Sequence, residues 1–187
     1  IGVPNFENNP ADLFTFDHLS RFTPQTIESL FAATRFSVIS KKTPDSRVPM
    51  WYMIQSSSEE ELNADDIYEE SCAIVRESKN FVESTFAAYN DCHQNALDEN
   101  GRIGMYGTGT IGLLATQYSS LKPERLAAVF DDNSTIRGTE RLGVEVHAPE
   151  QIEKLGITHM VLSANPCYLP AIKQKIQGIS PNTKIYV

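Results

Sequence analysis

The chain has 187 residues, of which 41% are hydrophobic and 21% charged, as in an ordinary globular protein, and its net charge of -8 argues against nucleic-acid binding. No apolar run reaches the roughly 18 residues of a membrane span, and Cys72, Cys92 and Cys167 are too scattered for a disulfide framework or a zinc site. We therefore expect a cytoplasmic protein that has no membrane partner and no bound metal.

Charge and glycine are distributed unevenly along the chain. Residues 1–100 carry 17 acidic and 7 basic residues, whereas residues 101–187 carry 7 acidic and 9 basic residues. Nine of the ten glycines follow residue 100. This shift in composition predicts a domain boundary near Asn100.

Residues 1–57 are predicted to form a helix followed by a β-hairpin. Thr23 is a suitable N-cap and Pro24 a suitable first helical residue, and the apolar face consists of Ile27, Leu30 and Phe31. The β-rich segments "FSVIS" and "VPMWYMIQ" flank the turn "KKTPDSR", which predicts an antiparallel hairpin with Trp51 in its core. A helix and a hairpin bury little surface, so we expect this part to need a partner.

Residues 58–100 are predicted to form one long connecting helix, without Pro or Gly between 59 and 98. Apolar residues recur at alternating spacings of four and three, which predicts an amphipathic helix. At ~1.5 Å per residue it would span roughly 50 Å. Such a helix bridges two domains or joins a homodimer; alternatively, it packs along a single domain. The stripe consists of Tyr68, Cys72, Val75, Lys79, Val82, Phe86, Tyr89, His93 and Ala96.

Residues 101–187 alternate between predicted strands and helices. The strands are "RIGMY", "RLAAVFDD", "GVEVH", "THMVLSA" and "TKIYV", and the helices are "TIGLLATQYSS", "PEQIEKLG" and "LPAIKQKIQG". The apolar strands and the βα alternation predict an α/β fold with a Rossmann-like, mostly parallel sheet of about five strands. The segment "NSTIRGTERL" is a loop where a helix would ordinarily connect two strands.

The stretch "GTGTIG", residues 107–112, has the G-x-G-x-x-G spacing of a nucleotide-binding turn between a strand and a helix. The first Gly permits a tight turn, the second lets a phosphate approach the backbone, and the third allows close helix–strand packing. Asp131 lies 19 residues after Gly112, near the position of an acid that holds a ribose hydroxyl. The predicted ligand-binding residues are Gly107, Thr108, Gly109, Thr110, Ile111, Gly112, Asp131, Asp132, Ser163 and Asn165. Alternatively, the glycines serve only the fold and Asp131, Asp132 and Asn133 form a plain turn.

The beginning of the chain, from "VPNFENNPADLFTFDHLSRFTP" to "VPMWYMIQ", resembles the tail of a class I S-adenosylmethionine-dependent methyltransferase. The remainder resembles the C-terminal domain of the sugar C-methyltransferase family, in which a long helix leads into a small Rossmann-like domain. The turn "YGTGTIG" and the acid in "VFDDN" stand at the matching positions. The segment "GTERLGVEVHAPEQI" also resembles a Rossmann-like domain of nucleotide-sugar-modifying acyltransferases. Together these resemblances cover nearly the whole chain and imply a nucleotide-sugar context.

The methyltransferase resemblance implies S-adenosylmethionine as the cofactor of the full-length parent, bound upstream of Ile1, and an inactive chain when this part stands alone. The family's Tyr-His-Glu-His run reads Thr15-Phe16-Asp17-His18 here, so the His is retained and the Tyr is lost. His18 is the candidate base for removing a proton next to a carbonyl, and Asp17 would raise its basicity. Alternatively, both residues only precede and cap a turn.

Two functions therefore remain open. One is a methyltransferase part that acts on a nucleotide-sugar or related small molecule, with the Rossmann-like domain holding the substrate nucleotide. The other is a non-catalytic module for nucleotide or dinucleotide binding or for assembly. An NAD-dependent oxidoreductase is disfavoured because little chain remains for a substrate domain.

Overall fold

The computed structural model describes residues 2–3, 5, 22–43, 49–58 and 64–187. The chain divides into two compact units, Ile1–Phe81 and Val82–Val187. Within the described residues, no helix combines the length and the apolar character that a bilayer crossing requires.

In its described residues the first unit contains a small antiparallel sheet, a short helix and the beginning of the long helix that is described below. The elements are β1 (Gly2–Val3), α1 (Pro24–Ala33), β2 (Phe36–Lys42) and β3 (Met50–Ser56). The strand order is β1-β3-β2, so β2 and β3 form the predicted hairpin and β1 pairs with the other edge of β3. The predicted hairpin turn overlaps residues 44–48, which lie outside the described residues.

Helix α1 begins with a capping box. The Thr23 hydroxyl accepts a hydrogen bond from the Thr26 amide at 3.1 Å, and the Thr26 hydroxyl accepts one from the Thr23 amide at 2.8 Å. Pro24 occupies the first turn, where its missing N–H costs nothing. The start of the helix is therefore specified locally, as the sequence predicts.

The small core of this unit consists of Ile27, Phe31, Met50 and Tyr52. Phe31 and Tyr52 make an edge-to-face contact with ring centroids 5.4 Å apart. Two predicted core residues face outwards instead, since Leu30 is 43% exposed and Trp51 is 53% exposed. Successive strand residues point to opposite faces, so burial of Met50 and Tyr52 turns Trp51 away from the core.

Helix α2 (Ala64–Asp98) is one continuous helix of 35 residues, about 50 Å long. This agrees with the predicted long helix over the described residues. The division between the two compact units falls inside α2, after Phe81. Val82, Tyr89, Cys92 and Ala96 are buried in the second unit. The predicted boundaries 1–57, 58–100 and 101–187 stay a prediction.

The second unit is a six-stranded sheet with helices on its faces. After α2 come β4 (Ile103–Tyr106), α3 (Thr110–Tyr118), β5 (Leu126–Phe130), β6 (Glu140–Arg141), β7 (Val144–His147), β8 (His159–Leu162), α4 (Leu169–Ile179) and β9 (Lys184–Tyr186). The strand order is β6-β7-β5-β4-β8-β9. All neighbouring pairs are parallel except the edge pair β6–β7. The predicted α/β fold with a Rossmann-like, mostly parallel sheet is confirmed.

Each face of the sheet has its own apolar core, as expected for strands buried on both sides. On one face Met105, Val129 and Val161 pack with Tyr89 of α2 and Ala115 of α3. On the other face the buried residues are Tyr106, Ala128, Phe130, Ile152, Ile157, Met160, Leu162 and Ile176, the last from α4. The side chains of β4 and β8 alternate between the two cores, and those of β5 do so from Ala128 to Phe130, after a shift of register in its pairing with β4.

The predicted helix "PEQIEKLG" is wrong. The segment contains a short 3-10 helix, Pro149–Gln151, followed by turns. Gly156 has φ +63°, and the Ile157 amide returns to the Ile152 carbonyl at 3.2 Å, a closure that ends any helix there. The segment "NSTIRGTERL" is a loop, as predicted, with a 3-10 turn at Ser134–Ile136 and the short strand β6.

Candidate functional site

The carboxyl ends of β4 and β8 define the candidate site. After β4 the chain passes through α3 to β5, which is the neighbour of β4 on the side away from β8. After β8 it passes through α4 to β9, which is the neighbour of β8 on the side away from β4. The two connections therefore diverge, and a crevice opens between the two strand ends. In open α/β sheets, ligands bind at such a switch point.

Gly107 follows β4 directly and only glycine fits there. Its φ is +96°, and its amide donates to the Phe130 carbonyl at 2.7 Å. A Cβ atom at this position would lie 2.3 Å from the Ser163 carbonyl oxygen. Both the backbone conformation and the close approach exclude a side chain.

Gly112, in the first turn of α3, lets the helix approach the sheet. An added Cβ would lie 2.4 Å from Ser163 Oγ and 2.9 Å from Met105 Sδ. Gly109 differs, because a Cβ added there would meet only the Ser163 carbonyl oxygen, at 3.7 Å. The fold therefore requires glycine at 107 and 112 but not at 109, where the lack of a side chain leaves open space.

Gly109 is also the N-cap of α3, and among the described residues no side chain caps this end of the helix. The Gly112 and Leu113 amides reach the Gly109 carbonyl at 3.1 and 3.4 Å, so they belong to the helix. The amides of Thr110 and Ile111 precede them at the positive end of the helix dipole, where α-helices lack internal acceptors. The Ile111 side chain is buried, so this residue can meet a ligand only through its backbone. The geometry is suited to an anion.

Asp131 is linked to the Gly-rich turn. The Thr108 hydroxyl donates to Asp131 Oδ2 at 3.0 Å, and the Asn133 amide donates to Oδ1 at 2.9 Å. The first bond joins the turn after β4 to the end of β5; the second makes a local turn. Each carboxylate oxygen keeps a lone pair for a further donor.

Asp132, by contrast, is engaged by the protein. Its carboxylate accepts from the Tyr106 hydroxyl at 2.9 Å and from Lys175 Nζ, while Arg137 donates to its backbone carbonyl at 3.2 Å. Burial alone would raise the pKa of Asp132, but the bonds from Lys175 and Tyr106 outweigh it and the pKa lies below its ordinary value. Burial, followed by the bond to Asp132, raises the pKa of Tyr106. Asp132, which follows β5, therefore connects this strand end to Tyr106 of β4 and Lys175 of α4 through hydrogen bonds.

Ser163 lies beneath the turn and is only 3% exposed. Its amide donates to the Tyr106 carbonyl at 2.7 Å, and its hydroxyl lies 3.5 Å from the Gly109 carbonyl oxygen. Ser163 is thus the residue that the hypothetical side chains at 107, 109 and 112 would all meet. It supports the turn from the side of β8.

Asn165 follows two residues later and is 5% exposed. Its Nδ2 atom is buried and has no hydrogen-bond partner within the described part of the chain. A buried donor without an acceptor costs about 1–3 kcal/mol.

Three further polar residues, His147, Tyr118 and Lys122, stand outside the turn and the ends of β4 and β8. His147 ends β7, its Nδ1 lies 3.7 Å from Glu145 Oε1, and its ring lies beside Phe130. Tyr118 and Lys122 have the Tyr-x-x-x-Lys spacing, but Lys122 donates to carbonyls at the C-terminal end of α3, away from the crevice. The predicted catalytic residues His18 and Asp17 lie outside the described residues.

Three side chains that sequence reasoning did not assign to the site contact its framework: Tyr89, Tyr106 and Lys175. Tyr89 stands on the predicted apolar stripe of the long helix, which indicated packing and nothing more specific. Tyr106 ends a predicted strand, and Lys175 lies in a predicted helix far along the chain. Their partners follow only from the folded arrangement.

Comparison with known proteins adds little to this geometry. No protein-family model and no curated protein matches the chain. Among solved structures, the chain is similar to UDP-D-quinovosamine 4-dehydrogenase from Vibrio fischeri, with 18% sequence identity and a TM-score of 0.36 over 46% of this chain and 75% of that chain. A likeness of this extent assigns neither a ligand nor a reaction.

Proposed function

We propose that the second unit binds a phosphate-bearing nucleotide, and specifically a nucleotide-sugar, in the crevice between the ends of β4 and β8. The observation that carries this proposal is the uncapped start of α3 at the switch point, with open space at Gly109. A Gly-rich turn needed only for folding would require Gly107 and Gly112, whereas Ser, Thr, Asn or Asp would serve the N-cap at 109 at least as well as Gly.

The groups around the turn fit the parts of such a ligand. The Thr110 and Ile111 amides suit the diphosphate. Asp131 suits a ribose hydroxyl, which would add to or replace the hydrogen bond that Thr108 makes. The buried Asn165 amide offers a donor that lacks an acceptor, and a ligand oxygen or a bound water would satisfy it.

Titration of the chain with UDP-glucose, dTDP-glucose, ADP, NAD and inorganic pyrophosphate tests this proposal. We expect a diphosphate-bearing nucleotide to bind, and Asp131→Ala to weaken it by about 1.5–3 kcal/mol, the range for hydrogen bonds to charged groups. Pyrophosphate is the matched control, because it has no ribose and Asp131→Ala should not weaken its binding. If Asp131→Ala weakened the binding of the nucleotide and of pyrophosphate equally, Asp131 would not act on the ribose.

We further propose that the nucleotide is the part of a methyl-acceptor substrate that the second unit binds. In this proposal the chain is the C-terminal part of an S-adenosylmethionine-dependent methyltransferase. This step rests on the sequence resemblance. It gives His18 the role of base, with Asp17 as the neighbouring carboxylate. In the parent enzyme, His18→Ala should lower turnover by ~10²–10⁴-fold and leave affinity for the methyl donor unchanged. Full activity in that variant would remove His18 from the chemistry.

A second function, homodimer assembly through α2, is favoured by a different observation. Apolar or aromatic residues stand seven apart at Tyr68, Val75, Val82, Tyr89 and Ala96. The last three are buried in the second unit, whereas Tyr68 is 68% exposed and Val75 is 46% exposed. A stripe that continues beyond its core is suited to a partner helix.

Sedimentation equilibrium tests assembly directly. We expect a dimer that the double substitution Tyr68→Glu and Val75→Glu converts to a monomer. Arg76→Glu is the control, because Arg76 is exposed on another face of the same helix. A wild-type monomer, or equal dimerisation of all three proteins, would contradict assembly through this stripe.

A further inference from the structure

Tyr89 connects the long helix to the Gly-rich turn. It is fully buried, and its hydroxyl donates to the Leu162 carbonyl at 3.3 Å, at the end of β8. The next residue, Ser163, is the one against which the Gly-rich turn packs. Burial raises the pKa of Tyr89, so the phenol stays neutral and keeps its proton to donate.

Ser163 contacts both ends of the turn directly. Its carbonyl oxygen faces Gly107, and its hydroxyl faces Gly112 and lies 3.5 Å from the Gly109 carbonyl oxygen. The turn is in close contact with Ser163, because a Cβ at Gly107 or Gly112 would lie within 2.4 Å of this residue. A shift of the Leu162–Ser163 peptide would therefore move the turn itself.

We propose that Tyr89 is a positioning residue for nucleotide binding, because its hydroxyl fixes the Leu162–Ser163 peptide against which the phosphate-binding turn is set. The inference rests on the proposed function of that turn. It adds a residue of the long helix, 18 positions before Gly107, to the determinants of the site. It also makes α2 part of the binding apparatus, in addition to its role as a connection.

Tyr89→Phe tests this inference, because it keeps the ring in the core and removes only the hydroxyl. Tyr52→Phe is the matched control: Tyr52 is also buried, and its hydroxyl donates to Glu28 Oε1 at 3.1 Å, in the first unit. Both variants remove the hydroxyl of a buried tyrosine and keep its ring. We expect Tyr89→Phe to weaken UDP-glucose binding roughly fivefold, and Tyr52→Phe to leave it unchanged.

A second readout needs no ligand. In ¹H–¹⁵N spectra of the free chain, Tyr89→Phe should shift the amide resonances of Gly107, Gly109 and Gly112, and Tyr52→Phe should not. A purely structural role would lower the stability of Tyr89→Phe without a selective shift at these glycines.

The outcomes separate the two claims. If the wild type binds UDP-glucose and Tyr89→Phe binds it equally well, the inference is overturned and the proposed function stands. If the wild type binds none of the nucleotides, the proposed function fails and the positioning role fails with it. Selective glycine shifts together with weaker binding support both.

Discussion

Ser163 shows how much of the candidate site depends on a single residue. It is a small polar residue just past a buried strand, and the turn after β4 is packed against its carbonyl and its hydroxyl. Any larger side chain at 107 or 112 would have to displace it. The glycines of the turn are therefore not equivalent: two are required by the fold, and the one between them is free to serve a ligand.

Alanine substitutions should reveal this difference. Gly112→Ala places a Cβ 2.4 Å from Ser163 Oγ, and overpacking of this kind costs about 1–3 kcal/mol. Gly109→Ala meets only one atom, at 3.7 Å, so we expect it to cost less than about 1 kcal/mol. Urea unfolding of the two variants measures both. Equal destabilisation would mean that the turn does not pack as described.

His159 is a second informative residue, at the amino end of β8, away from the crevice. It is buried, its Nδ1 lies 2.9 Å from Thr158 Oγ1, and its ring stacks on Tyr186. Burial lowers the pKa of His159; Glu99, with Oε2 3.4 Å from Nε2, partly offsets this, and Lys184 adds to it. The folded state therefore favours the neutral ring.

The sign of the pH dependence follows. In the unfolded chain His titrates near pH 6.5, and in the folded chain it titrates lower. The contribution of neutral His159 to the free energy of unfolding is therefore complete above pH 6.5. It is lost as the pH falls from 6.5 towards the pKa of His159 in the folded chain. Urea unfolding between pH 8 and pH 5 should show a smaller loss of stability for His159→Phe than for the wild type. An identical loss in both proteins would exclude His159 as the source.

At the scale of elements, the predictions that succeeded rest on local physics. Thr23 and Pro24 specify the start of α1 through groups that are neighbours in sequence. The strands β4, β5 and β8 are apolar through their length because both faces are covered. The helix predicted at Pro149 failed because Gly156 and the return of Ile157 to Ile152 close the segment early. Trp51 was misplaced because apolar character alone does not tell which face of a two-sided strand is buried.

The capping box of α1 gives an element-scale prediction. Thr23→Ala removes the hydroxyl that accepts from the Thr26 amide, and loss of an N-cap typically costs ~1 kcal/mol. Ser29→Ala is the control within the same helix, because alanine is the better helix former at an interior position. Fluorescence of the single Trp51, in β3, reports unfolding of this unit. Equal stability of Thr23→Ala and the wild type would contradict the role of the cap.

At the scale of the whole molecule, the sequence predicted the sheet and the position of the turn, but not the contacts that connect them. The spacing of glycines and Asp131 requires only a strand, a turn and a second strand. The bond from Thr108 to Asp131, the engagement of Asp132 by Tyr106 and Lys175, and the reach of Tyr89 to Leu162 join residues that are 23 to 73 positions apart. Such pairs depend on strand order, which single-sequence patterns do not specify.

The methyl donor gives a prediction at the same scale. If the proposed methyltransferase function is right, the S-adenosylmethionine site is expected to lie outside this chain. Isothermal titration of this chain with S-adenosylmethionine should therefore detect no binding. Micromolar affinity would contradict that assignment and would move the donor site into the residues described above.

The most direct test of the account is the thermal stability of the chain with and without a nucleotide-sugar, in the wild type and in Gly109→Val. The Cβ of a valine at 109 would meet only the Ser163 carbonyl oxygen, at 3.7 Å, so the side chain would occupy the space that we propose for the phosphate. We predict that UDP-glucose or dTDP-glucose at ~100 times its dissociation constant stabilises the wild type by roughly 2.7 kcal/mol. Gly109→Val should fold and show no such stabilisation. No stabilisation of the wild type by either nucleotide-sugar, or equal stabilisation of a folded Gly109→Val, would contradict a phosphate site at this turn.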